Sequence, residues 1–150
     1  LIDLKSLFKK VSLGSDHAGF NLKERIKKFL VKKKIKVIDL GPKNNNSVDY
    51  PDYAKKVARN VSSRKGNIGI LVCGSGTGMA MSANKFKKIR SAVCYNKAST
   101  RLSRSHNDAN IMALGARLTK NSDAIKLVNV FLNTKFEGGR HLRRVKKILK

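Results

Sequence analysis

One short run in this chain combines residue types and spacing that could do chemistry: Cys73-Gly74-Ser75-Gly76-Thr77-Gly78. A thiol at the end of a strand and just ahead of a helix sits where its pKa should fall and its thiolate become populated. The N–H groups of a glycine turn that opens a helix can hold negative charge, aided by the helix dipole. Each part also has a plain structural reading, a turn that needs positive φ or a small buried hydrophobe. The run fails the dinucleotide pattern G-x-G-x-x-G, because Met79 and Met81 stand where glycine is required. No Lys-Ser/Thr pair follows to make a P-loop either. Cys94 also closes a strand but has no glycine loop after it, and it reads as a buried structural thiol.

Other groups could serve as acids, bases or anion holders. Asp16 and His17 follow the first apolar run, Asp49 and Tyr50 follow the second, and His106-Asn107-Asp108 precede the fifth. An imidazole is the usual general acid or base near neutral pH, though a lone histidine is more often structural. Arg140 and Arg144, in Arg140-His141-Leu142-Arg143-Arg144, lie four apart on one helix face. Like charges there repel unless an anion sits between them, and two guanidinium groups grip a phosphate well. A solvated basic helix is the bland alternative.

These residues need elements to position them. Residues 11–13, 35–40, 68–73, 91–95 and 110–114 read as short β-branched strands. Between them Leu22, Ile26, Phe29 and Leu30, then Tyr53, Ala54, Val57, Ala58 and Val61, fall at helical spacing, with lysines on the opposite face of the first set. Further helices start after Gly78, run to about Arg104, carry Ile125, Val128, Phe131 and Leu132, and end with Leu142, Val145, Ile148 and Leu149. Strands alternating with helices predict a single doubly wound, Rossmann-like α/β domain, with a five-stranded parallel sheet and helices on both faces. Residues 1–8 read as an N-terminal extension and residues 9–150 as the domain. Such a sheet collects its site beyond the carboxyl ends of its strands. The sequence reading places Asp16, His17, Tyr50, the 73–78 loop and the His106 run together there.

Composition narrows the class. The chain has 150 residues, 41% of them hydrophobic, enough for one core. Thirty-four Lys plus Arg against nine Asp plus Glu give +25, which makes an anionic partner the one to test. No apolar run is long enough to span a membrane. Leu1-Ile2-Asp3-Leu4-Lys5 lacks the order of a secretory signal, and there is no initiator Met. Two cysteines make neither a disulfide framework nor a metal site, so a soluble protein of a reducing, cytoplasmic compartment is expected.

Together the motifs resemble the type B ribose-5-phosphate isomerases and their galactose-6-phosphate isomerase relatives. The matching stretches are Gly14-Ser15-Asp16-His17-Ala18-Gly19-Phe20, Asp49-Tyr50-Pro51, the Cys73–Gly78 loop, Ser103-Arg104-Ser105-His106-Asn107-Asp108-Ala109-Asn110 and Glu137-Gly138-Gly139-Arg140-His141. They are in family order and cover essentially residues 9–149. The resemblance implies interconversion of D-ribose 5-phosphate and D-ribulose 5-phosphate in the non-oxidative pentose phosphate pathway, with no metal and no cofactor. It implies Cys73 as the base, and the Gly74, Gly76, Thr77 and Gly78 loop with the Ser75 hydroxyl as stabiliser of a cis-enediolate. It implies His106, partnered by Asp16, in ring opening. Asn107 would orient the open chain, Tyr50 would line the pocket, and His17, Arg140, Arg144 and more weakly Arg117 would hold the phosphate. It further implies a homodimer, or a dimer of dimers, with sites built between subunits.

Within that resemblance, His106 favours the pentose, since the galactose-6-phosphate relatives generally lack it. Allose 6-phosphate stays open as a substrate. Some relatives use a loop glutamate as base, but Thr77-Gly78-Met79-Ala80 holds no acid. The rival class is a basic nucleic-acid-binding module, argued from charge. It is disfavoured, because lysines outnumber arginines 24 to 10, only nine aromatics are available for base stacking, and no groove-reading motif is present.

Overall fold

The computed structural model describes residues 8, 10–64 and 67–149. The proposed extension 1–8 therefore falls mostly outside the described residues, although Phe8 lies beneath the Arg104 guanidinium at 5.3 Å. Strands β1 (Val11–Ser15), β2 (Val37–Asp39), β3 (Ile68–Cys73), β4 (Ser91–Val93) and β5 (Ile111–Gly115) form one all-parallel sheet in the order β2-β1-β3-β5-β4. Helices α1 (Phe20–Lys32), α2 (Tyr50–Ser62), α3 (Thr77–Ala83), α4 (Lys97–Ser105), α5 (Asn121–Asn133) and α6 (Arg140–Ile148) complete the domain. This is the doubly wound α/β architecture expected.

The central strand β3 is apolar throughout because both of its faces are covered. Ile68, Ile70 and Val72 pack with Leu22, Ile26 and Leu30 of α1 and with Val128 and Phe131 of α5. Leu71 and Cys73 point the other way, to Ala54, Val57 and Ala58 of α2 and Met79 and Ala80 of α3. Each fully buried Ile, Leu or Val in these layers contributes about 1.5–3 kcal/mol. The two layers hold β3 rigidly, and its last residue is Cys73.

Two local departures have clear causes. The second strand starts at Val37 rather than residue 35, because Lys34 takes positive φ and the Ile35 N–H donates to the Leu30 carbonyl, closing α1. Lys23, expected on the solvated face of α1, is fully buried. Its Nζ sits 2.8 Å from Glu24 and 2.9 Å from both Asp39 oxygens, so it is a paired core cation. Among the described residues no helix is long and apolar enough to cross a membrane.

Candidate active site

Chain reversal at the centre of the sheet makes the crevice. From β1 the chain crosses to β2 on one side, and β3 then returns on the other side of β1, so the carboxyl ends of β1 and β3 flank a topological switch point. Cys73, Asp16 and His17 sit at those two strand ends. Cys73 is 4% exposed, and the Gly76 N–H donates to its Sγ at 3.1 Å. Gly76 has φ +81°, and this left-handed turn aims its N–H back at the sulfur. The Thr77 N–H donates to the Ser75 Oγ at 3.3 Å. The N–H groups of Gly74, Ser75 and Gly78 have no carbonyl partner among the described residues, and they are the loop's available donors.

Asp16 is fixed from two sides. Its N–H donates to the Val72 carbonyl, and its Oδ1 accepts the Gly19 N–H at 2.9 Å, closing the turn into α1. His17 is held by its Nδ1, which lies 3.2 Å from both the N–H and the carbonyl oxygen of Val48. Tyr50 opens α2, half-exposed, with its ring against Gly78; a Cβ there would lie 2.7 Å from the ring. Arg117 follows β5. Its N–H donates to the Gly74 carbonyl at 3.0 Å, and its guanidinium lies alongside Gly74. The carboxyl end thus gathers Asp16, His17, Tyr50, the 73–78 loop and Arg117.

The other expected site residues are at the opposite end. His106 caps the carboxyl end of α4, which runs back along the sheet and delivers it to the amino end of β5. The Asn107 carbonyl accepts from Arg90 Nε there, beside a cleft of about 530 Å³ lined by Lys88, Arg90 and Leu149. The five residues of β5 alone separate His106 from the Cys73 end by roughly 16 Å. Grouping His106 and Asn107 with the carboxyl ends, as the sequence reading does, is therefore corrected for a single chain. A residue just before a strand lies at that strand's amino end.

A second cluster forms around His106. Its ring stacks on His141 with centroids 4.0 Å apart and planes 14° from parallel. Both Nε2 atoms lie 3.5 Å from Glu137 Oε2. The Glu137 N–H donates to the Ser105 carbonyl at 3.0 Å, tying this loop to α4. Arg140 and Arg144 share a face of α6, with Arg144 Nη1 donating to the Arg140 carbonyl. Lost hydration, then the charges of His106 and Arg140, hold the His141 imidazole below the ordinary 6.5, with Glu137 opposing. His106, Glu137 and His141 have ligand atoms within 4.8 Å of one another, but the positive charge of Arg140 and Arg144 beside them works against a cation. Glu137 and the pairing of His141 are what the sequence reading missed. Their signal was the Glu-to-His spacing of four across the start of a helix. Cys94 bears out its structural reading, since burial pushes its thiol up to about 11.

Residues 11–148 match the family model described as Ribose/Galactose Isomerase. Ribose-5-phosphate isomerase B of Escherichia coli is 44% identical over 140 residues, covering 93% of this chain and 94% of that one. The solved ribose-5-phosphate isomerase B of Clostridium thermocellum superposes with a TM-score of 0.92 at 49% identity, covering 93% of this chain and 95% of the other. The Mycoplasma genitalium ribose-5-phosphate isomerase B, solved with bound ribulose-5-phosphate, gives 0.91 at 40% identity over 93% of each chain. With its switch-point thiol and a match over nearly its whole length, this chain belongs to the ribose/galactose isomerase family.

Proposed function

We propose that this protein interconverts D-ribose 5-phosphate and D-ribulose 5-phosphate through a cis-enediolate, with Cys73 as the base. The observation that carries the reading is the buried Cys73 sulfur at the switch point, held by the Gly76 N–H in a loop with donors to spare. From the open-chain aldehyde, the thiolate takes the C2 proton. The C2–H electron pair becomes the C1–C2 double bond, and the carbonyl pair moves onto O1. The O2–H proton then passes to O1, and return of the proton from the Cys73 thiol to C1, as O2 becomes the carbonyl, gives the ketose. The free N–H groups of the Gly74–Gly78 loop, with the Ser75 hydroxyl, are assigned to hold the enediolate oxygens. Donors of this kind are each worth about a hundredfold or more in rate.

The sugar arrives mainly as a furanose, so the ring opens first. His106 is assigned as the acid to the ring oxygen, Asp16 as the partner at the C1 hydroxyl, and Asn107 as the group that orients the open chain. Tyr50 lines the pocket; His17 Nε2 and Arg117 face the phosphate from the Cys73 end. One chain holds these groups roughly 16 Å apart, and only a second copy can bring His106, Asn107, Arg140 and Arg144 onto the Cys73 half. Helix α6 suits this role. Val145 is its buried residue, while Leu142 and Ile148 are left exposed. The assembly is thus a homodimer, or a dimer of dimers, with shared sites and two-fold exchange of residues. Two free cysteines suit a cytoplasmic setting, and the reaction belongs to the non-oxidative pentose phosphate pathway.

A coupled assay comparing ribose 5-phosphate, allose 6-phosphate and galactose 6-phosphate tests the proposal. Ribose 5-phosphate should give the highest kcat/KM. A clear preference for either hexose would overturn the substrate, and no turnover of any of the three would overturn the reaction.

A further inference from the structure

We propose that Glu137 is a positioning residue that holds His106 and His141 as one ionic unit and sets which nitrogen His106 offers to the sugar. This rests on the isomerase reading above and adds a group to it. The carboxylate is exposed, but its backbone is not free: the Glu137 N–H is anchored to the carbonyl of Ser105, the residue before His106, which ties the segment that carries the carboxylate to that ring. Both Nε2 atoms converge on the same oxygen at 3.5 Å, and the rings stack at 4.0 Å.

Two stacked imidazolium ions at that separation would repel, and a single carboxylate facing both can compensate one proton. The three groups therefore form a neutral set when they share one imidazole proton beyond the two neutral rings. A carboxylate on one imidazole nitrogen fixes the tautomer and leaves the other nitrogen for chemistry. Here Glu137 faces Nε2 of His106 and keeps a proton there, so that the extra proton of the set stands on Nδ1, from which the sugar ring oxygen takes it. Glu137 also couples α6 to His106 through His141, so the arm that carries Arg140 and Arg144 and the ring-opening acid move as one body. The charged groups that face the pair are Glu137 from the α5–α6 loop and Arg140 and Arg144 from α6.

The test uses the full-length protein with ¹⁵N-labelled histidine, as wild type, Glu137→Gln and Glu137→Ala. Imidazole ¹⁵N spectra of the wild type should place the His106 proton on Nε2, and Glu137→Ala should shift it to a mixture of tautomers. With ribose 5-phosphate, kcat of Glu137→Ala should fall about 10–100-fold, as for other lost orienting carboxylates. KM should stay within about threefold, because Glu137 contacts no phosphate in this assignment, and Glu137→Gln, which keeps an acceptor oxygen, should recover part of the loss. Unchanged His106 signals in Glu137→Ala, or a kcat within about twofold of wild type, would overturn the proposal. Should Glu137→Ala fail to fold, an undiminished kcat in Glu137→Gln would do the same. Absence of wild-type turnover would instead refute the isomerase reading, and the imidazole spectra would still decide the geometry.

Discussion

If the site is completed by a second copy, two inactive chains should rescue each other. Cys73→Ala removes the base at the carboxyl end of β3, and His106→Ala removes the acid at the far end of α4. Within one chain these lie roughly 16 Å apart, the length of five strand residues, too far for one sugar phosphate to touch both. In a shared site, a heterodimer of the two variants has one site carrying both substitutions and one carrying neither. Random pairing of equal amounts makes half the dimers heterodimers, so the mixture should show about one quarter of wild-type activity. The assay is ribose 5-phosphate turnover after the two purified variants are unfolded together and refolded, against each variant refolded alone. A mixture no more active than its components, with heterodimers shown to form by native mass spectrometry, would refute the shared-site geometry.

Three further substitutions probe other parts of the structure. Arg140→Ala should raise KM for ribose 5-phosphate with little change in kcat, since phosphate binding is common to ground and transition states; an unchanged KM would move the phosphate clamp elsewhere. Gly19→Ala would set a Cβ 2.3 Å from the Val72 carbonyl oxygen, beside the Asp16 turn, and should lower stability by about 1–3 kcal/mol or more in a denaturant melt. Asp39→Asn should cost about 3 kcal/mol, because it leaves the buried Lys23 ammonium short of its main partner. Burial alone would raise the Asp39 carboxyl, but the hydrogen bonds from Lys23, the Gly41 N–H and Lys27 outweigh it and hold the group below 3.8. Its stabilisation is therefore present above the unfolded value near 3.8 and is lost as pH falls through the lower folded value. The wild type and Asp39→Asn should converge in stability in strong acid; a gap that widens as pH falls would contradict this.

How far the sequence reading reached depends on what each residue's signal encodes. The β3 run from Ile68 to Cys73 and the glycines after it carry their own instructions, an all-apolar strand and a turn, so the loop was legible and its sulfur lies where expected. His106 was legible as a chemical group but not as a position. Which end of the sheet it occupies depends on the direction in which α4 returns, and residue types do not state that. Lys23 was misread because a lysine at helical spacing looks solvated, and the proximity of Asp39, sixteen residues away, joins Glu24 in making its burial tolerable. Glu137 was visible in the Glu137-Gly138-Gly139-Arg140-His141 motif but carried no role, for a related reason. Its partners are one residue four positions on and one thirty-one positions back, and stacking of the two rings creates the site. The strand order β2-β1-β3-β5-β4 likewise emerges only from pairing across the chain.

The most direct test is the turnover of ribose 5-phosphate by wild type and by Cys73→Ala, measured with the thermal melts of both. With Cys73 as the base, the wild type isomerises the sugar and the variant, folded to a similar melting point, loses about 10²–10⁴-fold in kcat. A correctly folded Cys73→Ala protein that turns over within about threefold of wild type would contradict the thiol chemistry proposed for this site.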